Sequence, residues 1–177
     1  MFDNIIEKYS EVVNLFRQHV DPNGVLVGGA LRDTFYGREV KDLDFVSTAA
    51  VPPWSPQLRD LVFPEHTFRW IPVENLQHYE DEENNPSGLI DVIESTDKTI
   101  NIIEVLDIAR YTRHFPDSIS EMVFDGTTVH TSARWRIGAA NHEVYYNADR
   151  MKPARLEKLK LKYPDFAFLS EINEGDE

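Results

Sequence analysis

Two adjacent glycines, Gly28 and Gly29, stand between the apolar run Val25-Leu26-Val27 and a helical stretch containing Ala30, Leu31 and Phe35. A buried strand that ends on a glycine pair and passes at once into a helix must turn tightly, and the missing side chains let another group approach the backbone. Gly37 then stops the helix. Upstream, Phe2, Ile5, Ile6, Tyr9, Val12, Val13, Phe16 and Val20 recur at helical spacing until Pro22-Asn23-Gly24 ends the segment. Downstream, Val40 to Thr48 alternates Leu43 and Phe45 with Asp42 and Asp44, so a strand here carries both aspartates on one face. This order of helix, strand, glycine turn, helix and strand predicts an α/β (α+β) fold, a small mixed sheet with flanking helices.

The remaining segments extend that sheet. The four prolines between Val51 and Pro64 predict an irregular connection with one helical turn near Leu58 to Val62, and Thr67 to Ile71 reads as a strand. Glu80 to Gly88 carries four adjacent negative charges followed by turn formers, which predicts a solvated loop. Leu89 to Glu94 and Thr99 to Leu106 are strand-like runs around the polar connection Ser95 to Lys98, the pattern of a hairpin. Gly126 to Thr131 reads as a further short strand, Ala154 to Tyr163 as a basic helix introduced by Pro153, and Glu171 to Glu177 as a loose acidic tail. At 177 residues the chain has room for one domain with a small appendage, divided here as 1–150 and 151–177, with the appendage a short carboxy-terminal helical extension.

Charge narrows the partners. Eighteen Lys and Arg against 31 Asp and Glu leave a formal net charge of −13, which opposes strong nonspecific attraction to nucleic acid or to an anionic membrane. The densest basic cluster, Arg150, Lys152, Arg155, Lys158, Lys160 and Lys162, reads as a solvated helix balancing the acidic loop and tail, so weak, salt-sensitive RNA binding is expected. With no cysteine there is no disulfide, thiolate catalysis or cysteine zinc site. The absence of a long apolar run and of a basic start followed by an apolar stretch predicts neither a membrane span nor a signal peptide, and a cytoplasmic location. The six histidines lack metal-ligand spacing, and Trp54, Trp70 and Trp135 are expected to pack rather than to stack bases.

The chemistry concentrates in Gly28-Gly29-Ala30-Leu31-Arg32-Asp33, then Gly37-Arg38, then Lys41-Asp42-Leu43-Asp44-Phe45. A glycine turn at a helix start accommodates phosphate, and two carboxylates at i and i+2 on a strand suit Mg²⁺, which takes oxygen ligands and keeps positions open for triphosphate and water. In this order and spacing the residues resemble the head of the tRNA nucleotidyltransferase (CCA-adding) and bacterial poly(A) polymerase family, within the DNA-polymerase-β-like superfamily. The shared features are G-G-x-x-R-D, a glycine stop, for which Tyr36-Gly37 stands here, and K-D-x-D. The resemblance spans roughly residues 20 to 130 and is specific over 25 to 48.

The resemblance implies that Asp42 and Asp44 bind two catalytic Mg²⁺ ions, that Gly28, Gly29 and Arg32 hold a nucleoside triphosphate, and that an NMP is transferred to an RNA 3′ end, a small molecule or another hydroxyl acceptor. Asn101 to Arg110 is similar to the family strand that carries I-E-V and a following arginine, which makes Glu104 the candidate third carboxylate, with Asp107 in reserve. The family's R-R-D-F-T-x-N is altered in Arg113 to Ser120, leaving Arg110 and Arg113 as candidate triphosphate partners. The alternative to a nucleotidyltransferase is a non-catalytic nucleotide-binding or regulatory module that keeps the head fold.

Overall fold

The computed structural model describes residues 1–48, 60–71 and 87–171. The first helix, α1 (Asp3–His19), buries Ile5, Tyr9, Val13 and Phe16, the face that the apolar spacing selects. It is followed by β1 (Val25–Val27), α2 (Gly29–Phe35) and β2 (Leu43–Ser47), the order expected from the glycine pair and the alternating aspartates. Then come β3 (Phe68–Trp70), β4 (Leu89–Ser95), β5 (Ile100–Val105), α3 (Ile108–Arg113), a 3₁₀ turn (Ser118–Ser120), β6 (Met122–Phe124) and β7 (Val129–Thr131). The chain continues through α4 (Ala133–Asn141), β8 (Glu143–Asn147), α5 (Pro153–Lys162) and β9 (Ala167–Glu171).

Among the described residues seven strands form one sheet in the order β3-β4-β5-β2-β1-β6-β7. The β2–β5 pair is parallel and the other neighbours are antiparallel, so the sheet is mixed. The hairpin of β4 and β5 turns at Ser95 to Thr99, where the Asp97 carboxylate accepts from the Ser95 hydroxyl at 2.6 Å and from the Thr99 hydroxyl at 2.7 Å. Residues 60–62 are helical, and 51–59 lie outside the described residues, as do 80–86 of the acidic loop and 172–177 of the tail. Segments with no strand or helix assigned from sequence, Ala133–Asn141 and Glu143–Asn147, are α4 and β8, and β8 pairs in parallel with β9 as a separate two-stranded sheet.

The large sheet is covered on both faces. On one, α1 and α2 bury Phe16, Leu31, Phe45, Ile102 and Phe124, with Trp135 of α4 closing the edge. On the other, Val27, Val46, Val92, Ile103 and Val105 pack beneath Ile108, Tyr111 and Phe115. Burying both faces removes enough apolar surface to fix register, because a slip of one residue exchanges the two sets of side chains. A third cluster, Ile119, Val144, Met151, Leu159, Tyr163 and Phe166, fastens α5 beside β8. The helix read from sequence as solvated therefore has one buried stripe, and that stripe decides which way its cations point. Among the described residues no helix is long and apolar enough to cross a membrane.

Candidate active site

In the register of β1 on β2, Val27 stands opposite Asp44, so the turn at Gly28 begins beside the acidic strand. Gly28 has φ +71°, a conformation that L side chains rarely adopt, and this explains why the turn requires glycine. Its N–H donates to the Met122 carbonyl at 3.1 Å, so it is already used in continuing the β1–β6 ladder. A side chain at Gly29 would meet the Arg32 guanidinium at 3.3 Å, and its absence lets that side chain lie back across the turn.

The two aspartates share a face, as strand alternation requires, and one side chain shows it directly. Asn101 of β5 pairs in register with Asp44, and its Nδ2 donates to Asp44 Oδ1 at 2.9 Å and to Asp42 Oδ2 at 3.4 Å. Burial and the neighbouring Asp42 carboxylate push Asp44 up to about 6, against the pull of the Asn101 hydrogen bond. Asp42 is also raised, chiefly by burial.

Around this acidic floor lies a cleft of about 810 Å³, lined among the described residues by seven Lys and Arg against three Asp. In a chain of net charge −13 this is a local reversal of sign. Five of the seven cations, Arg150, Lys152, Arg155, Lys158 and Lys162, come from α5 and the segment before it. On the helix, Arg155, Lys158 and Lys162 recur at i, i+3 and i+7, one side of the cylinder, while Leu159 and Tyr163 bury the adjacent stripe. That spacing was present in the sequence; the apolar anchor that turns it inward was not evident without its partners Ile119 and Val144.

Two buried carboxylates bolt this wall in place. Asp33 of α2 accepts from Arg32 Nε at 2.8 Å, Lys162 Nζ at 2.6 Å and the Tyr163 hydroxyl at 2.5 Å. Asp117 accepts from Arg155 Nε at 3.0 Å and from the Ser120 N–H at 3.1 Å. Burial alone raises a carboxyl, but the Arg32 and Lys162 bonds outweigh it at Asp33, and the Arg155 and Arg32 charges outweigh it at Asp117, so both lie below the ordinary range.

Gly28, Gly29, Arg32, Asp42 and Asp44 line the cleft together. Arg32 faces it with much of its fork committed to Asp33 and to the Ser120 hydroxyl at 3.0 Å. Arg110 and Arg113 stand on α3 outside the lining, whose α3 contribution is Tyr111, with His114 and Phe115 just beyond the helix. Glu104 is a correction to the sequence reading. It pairs with Ser47, so it falls on the opposite sheet face from Asp44, buried beside Ile102. Parity along β5 gives Ile102 and Glu104 one face and Asn101 and Ile103 the other, and the parallel register assigns the second set to the acidic side. Asp107 caps α3, accepting from the Arg110 N–H at 2.7 Å, and stands outside the cleft lining.

Neither a protein-family model nor a curated protein matches this sequence. The fold does have solved counterparts. A tRNA-processing enzyme in apo form is similar over 81% of this chain and 37% of its own, at 16% identity and TM-score 0.51. The CCA-adding enzyme of Bacillus stearothermophilus in complex with CTP is similar over 89% of this chain and 36% of its own, at 16% identity and TM-score 0.47. A tRNA nucleotidyltransferase complexed with a primer tRNA and an incoming ATP analogue is similar over 75% of this chain and 37% of its own, at 14% identity and TM-score 0.48. The chain thus spans little more than a third of the length of these enzymes. The mixed sheet with flanking helices is a nucleotidyltransferase-like fold.

Proposed function

We propose that the cleft transfers a nucleoside monophosphate from an NTP to an acceptor hydroxyl and releases pyrophosphate. The observation that carries this reading is the meeting, in one cleft, of the Asp42 and Asp44 carboxylates with a wall of Lys and Arg from α5. Triphosphate and divalent cation are the ligand pair that needs both kinds of charge, one side to neutralise phosphate oxygens and the other to hold metal.

The donor set fits Mg²⁺: two part-buried carboxylates, raised by burial, whose ionised forms a cation would favour. Asp42 and Asp44 would hold it, and when bound it supplies Lewis acidity for the acceptor hydroxyl and charge neutralisation at the phosphates. Arg155 and Lys158 take the triphosphate charge, Arg150 and Lys152 extend the same wall, and the Gly28-Gly29 turn leaves space for the phosphates. Arg32, tied to Asp33, acts as a strut between the turn and the wall and lends its charge to both. In the transfer, the acceptor hydroxyl gives its proton to water, its oxygen forms a bond to the α-phosphorus as the bond to the bridging oxygen breaks, and the departing pyrophosphate keeps that electron pair. No covalent enzyme intermediate is required.

The acceptor is an RNA 3′ end or a small hydroxyl compound. A non-catalytic binding module is the second reading, favoured by the displacement of Glu104 to the far sheet face. Incubation with each α-labelled NTP, Mg²⁺ and a pool of total RNA and small metabolites separates the two. Label enters an acceptor with the native chain and fails to enter with Asp42→Ala if the cleft is catalytic. Binding of NTP with no labelled product for any nucleotide would leave the module.

A further inference from the structure

Asn101 occupies a position that neither the sequence pattern nor the proposed reaction explains. It lies on β5, directly across from Asp44 in the parallel register, 5% exposed, with its side chain on the acidic face. A carboxylate there would stand within hydrogen-bond reach of both aspartates. The amide has nearly the same shape and no charge. Its Nδ2 contacts both carboxylates, at 2.9 Å and 3.4 Å, while its Oδ1 is buried and has no hydrogen-bond partner among the described residues. An orphaned buried acceptor costs free energy unless some state of the protein uses it.

We propose that Asn101 fills the third corner of the acidic site as a neutral bridge, and that the site therefore takes up divalent cation chiefly together with the nucleoside triphosphate. This deepens the nucleotidyl-transfer reading and rests on it for the nucleotide. The physical reason is a count of charge and of lone pairs. Among the described residues no group of three or more His, Cys, Asp or Glu stands together as a metal site, so the cation meets two carboxylates only. The Asn101 N–H bonds hold those carboxylates in one orientation in the absence of metal, and they compete with a cation for the same oxygens. A hard cation with so few protein ligands keeps its water until phosphate oxygens replace it, and the triphosphate, held by the α5 wall, supplies them. The Asn101 amide then turns about its last side-chain torsion or releases its donors, and its Oδ1 becomes available to the loaded site.

The test uses the whole chain and Mn²⁺ as the probe, with protein-bound Mn²⁺ counted by equilibrium dialysis, first alone and then with α,β-methylene analogues of ATP and CTP. The native protein should half-saturate at a Mn²⁺ concentration roughly tenfold or more lower with an analogue than without. Asn101→Asp, which completes a third carboxylate, should tighten Mn²⁺ binding without nucleotide by a similar factor and shrink the nucleotide's effect. Asp42→Asn should remove the Mn²⁺ site in either background. Equal Mn²⁺ affinity of the native chain with and without an analogue it binds would overturn the inference, and so would an unchanged affinity in folded Asn101→Asp. The native-chain comparison decides even if Asn101→Asp fails to fold. Failure of nucleotide transfer with this Mn²⁺ behaviour intact would count against the proposed function alone; transfer with tight Mn²⁺ binding in the absence of nucleotide would count against Asn101 alone.

Discussion

The cleft has two sides built from the same residue type and held in opposite electrostatic states. On its floor, Asp42 and Asp44 face each other with one uncharged donor between them, and both are raised above the ordinary carboxyl range. In its wall, Asp33 and Asp117 are buried more deeply against Arg32, Lys162 and Arg155, and both are lowered. Burial pushes all four carboxyls upward, and only the wall supplies enough cationic contact to reverse it. The difference separates two roles. The wall carboxylates have found their counter-charges within the fold and fasten α5 to α2 and to the 3₁₀ turn, whereas the floor carboxylates remain short of positive charge, a deficit that a bound cation would meet.

Removing one member of each pair should break the comparison in opposite ways. Asp44→Asn is expected to have the largest effect on function, a loss of about a thousandfold or more in transfer rate, or about 4 kcal/mol in transition-state stabilisation. Its melting temperature without metal should hold or rise, because a buried repulsion is relieved. A marked fall in melting temperature would show that the floor is structural. Asp117→Asn should do the reverse, costing about 2 kcal/mol of stability in denaturant titration. That figure lies below the cost usual for a broken buried pair because the Arg155 side chain is 43% exposed. An unchanged unfolding midpoint would mean that Asp117 does not anchor the wall.

Tyr163→Phe is a milder probe of the same anchor. It keeps the ring between Tyr36 and Phe166 and deletes the hydroxyl bond to Asp33, so about 1 kcal/mol of stability should be lost. The two carboxylate pairs should also give pH dependence of opposite sign, read by urea titration of metal-free protein. The lowered Asp33 and Asp117 contribute stability that is present above the ordinary carboxyl value near 3.8 and lost as pH falls through their folded values. The raised Asp44 binds its proton more tightly when folded, so between about 6 and 3.8 its contribution grows as pH falls. Stability should therefore rise slightly from pH 7 to pH 5 and decline below pH 4. A monotonic decline from pH 7, removed in Asp44→Asn, would contradict the assignment of the floor.

How much of this was legible in the chain depends on sequence distance. Gly28, Gly29, Asp42 and Asp44 lie within seventeen residues, and turn chemistry plus strand alternation suffice to place them on one edge and one face. Glu104 and Asn101 show the limit of that logic. Alternation correctly separates them onto opposite faces of β5, but which face meets Asp44 is set by the parallel pairing Asp44 with Asn101, a contact between strands 57 positions apart that leaves no local trace. The basic helix fails for a related reason. Its limits, 153–162, are close to those expected from Pro153 and the run of Lys and Leu, yet its orientation follows from Leu159 and Tyr163 entering a cluster built by Ile119 and Val144. A cationic stripe looks solvated until its apolar neighbours are known to be buried.

The most direct measurement of the central claim follows the two ends of one substrate. The chain is incubated with Mg²⁺, an acceptor pool and an NTP labelled either at the α- or at the γ-phosphate, beside Asp44→Asn under the same conditions. A nucleotidyl-transfer cleft predicts that α-label enters the acceptor, that γ-label leaves only as pyrophosphate in equal amount, and that both signals vanish in Asp44→Asn. Transfer of γ-label to the acceptor, or α-label incorporation that persists in Asp44→Asn, would contradict it.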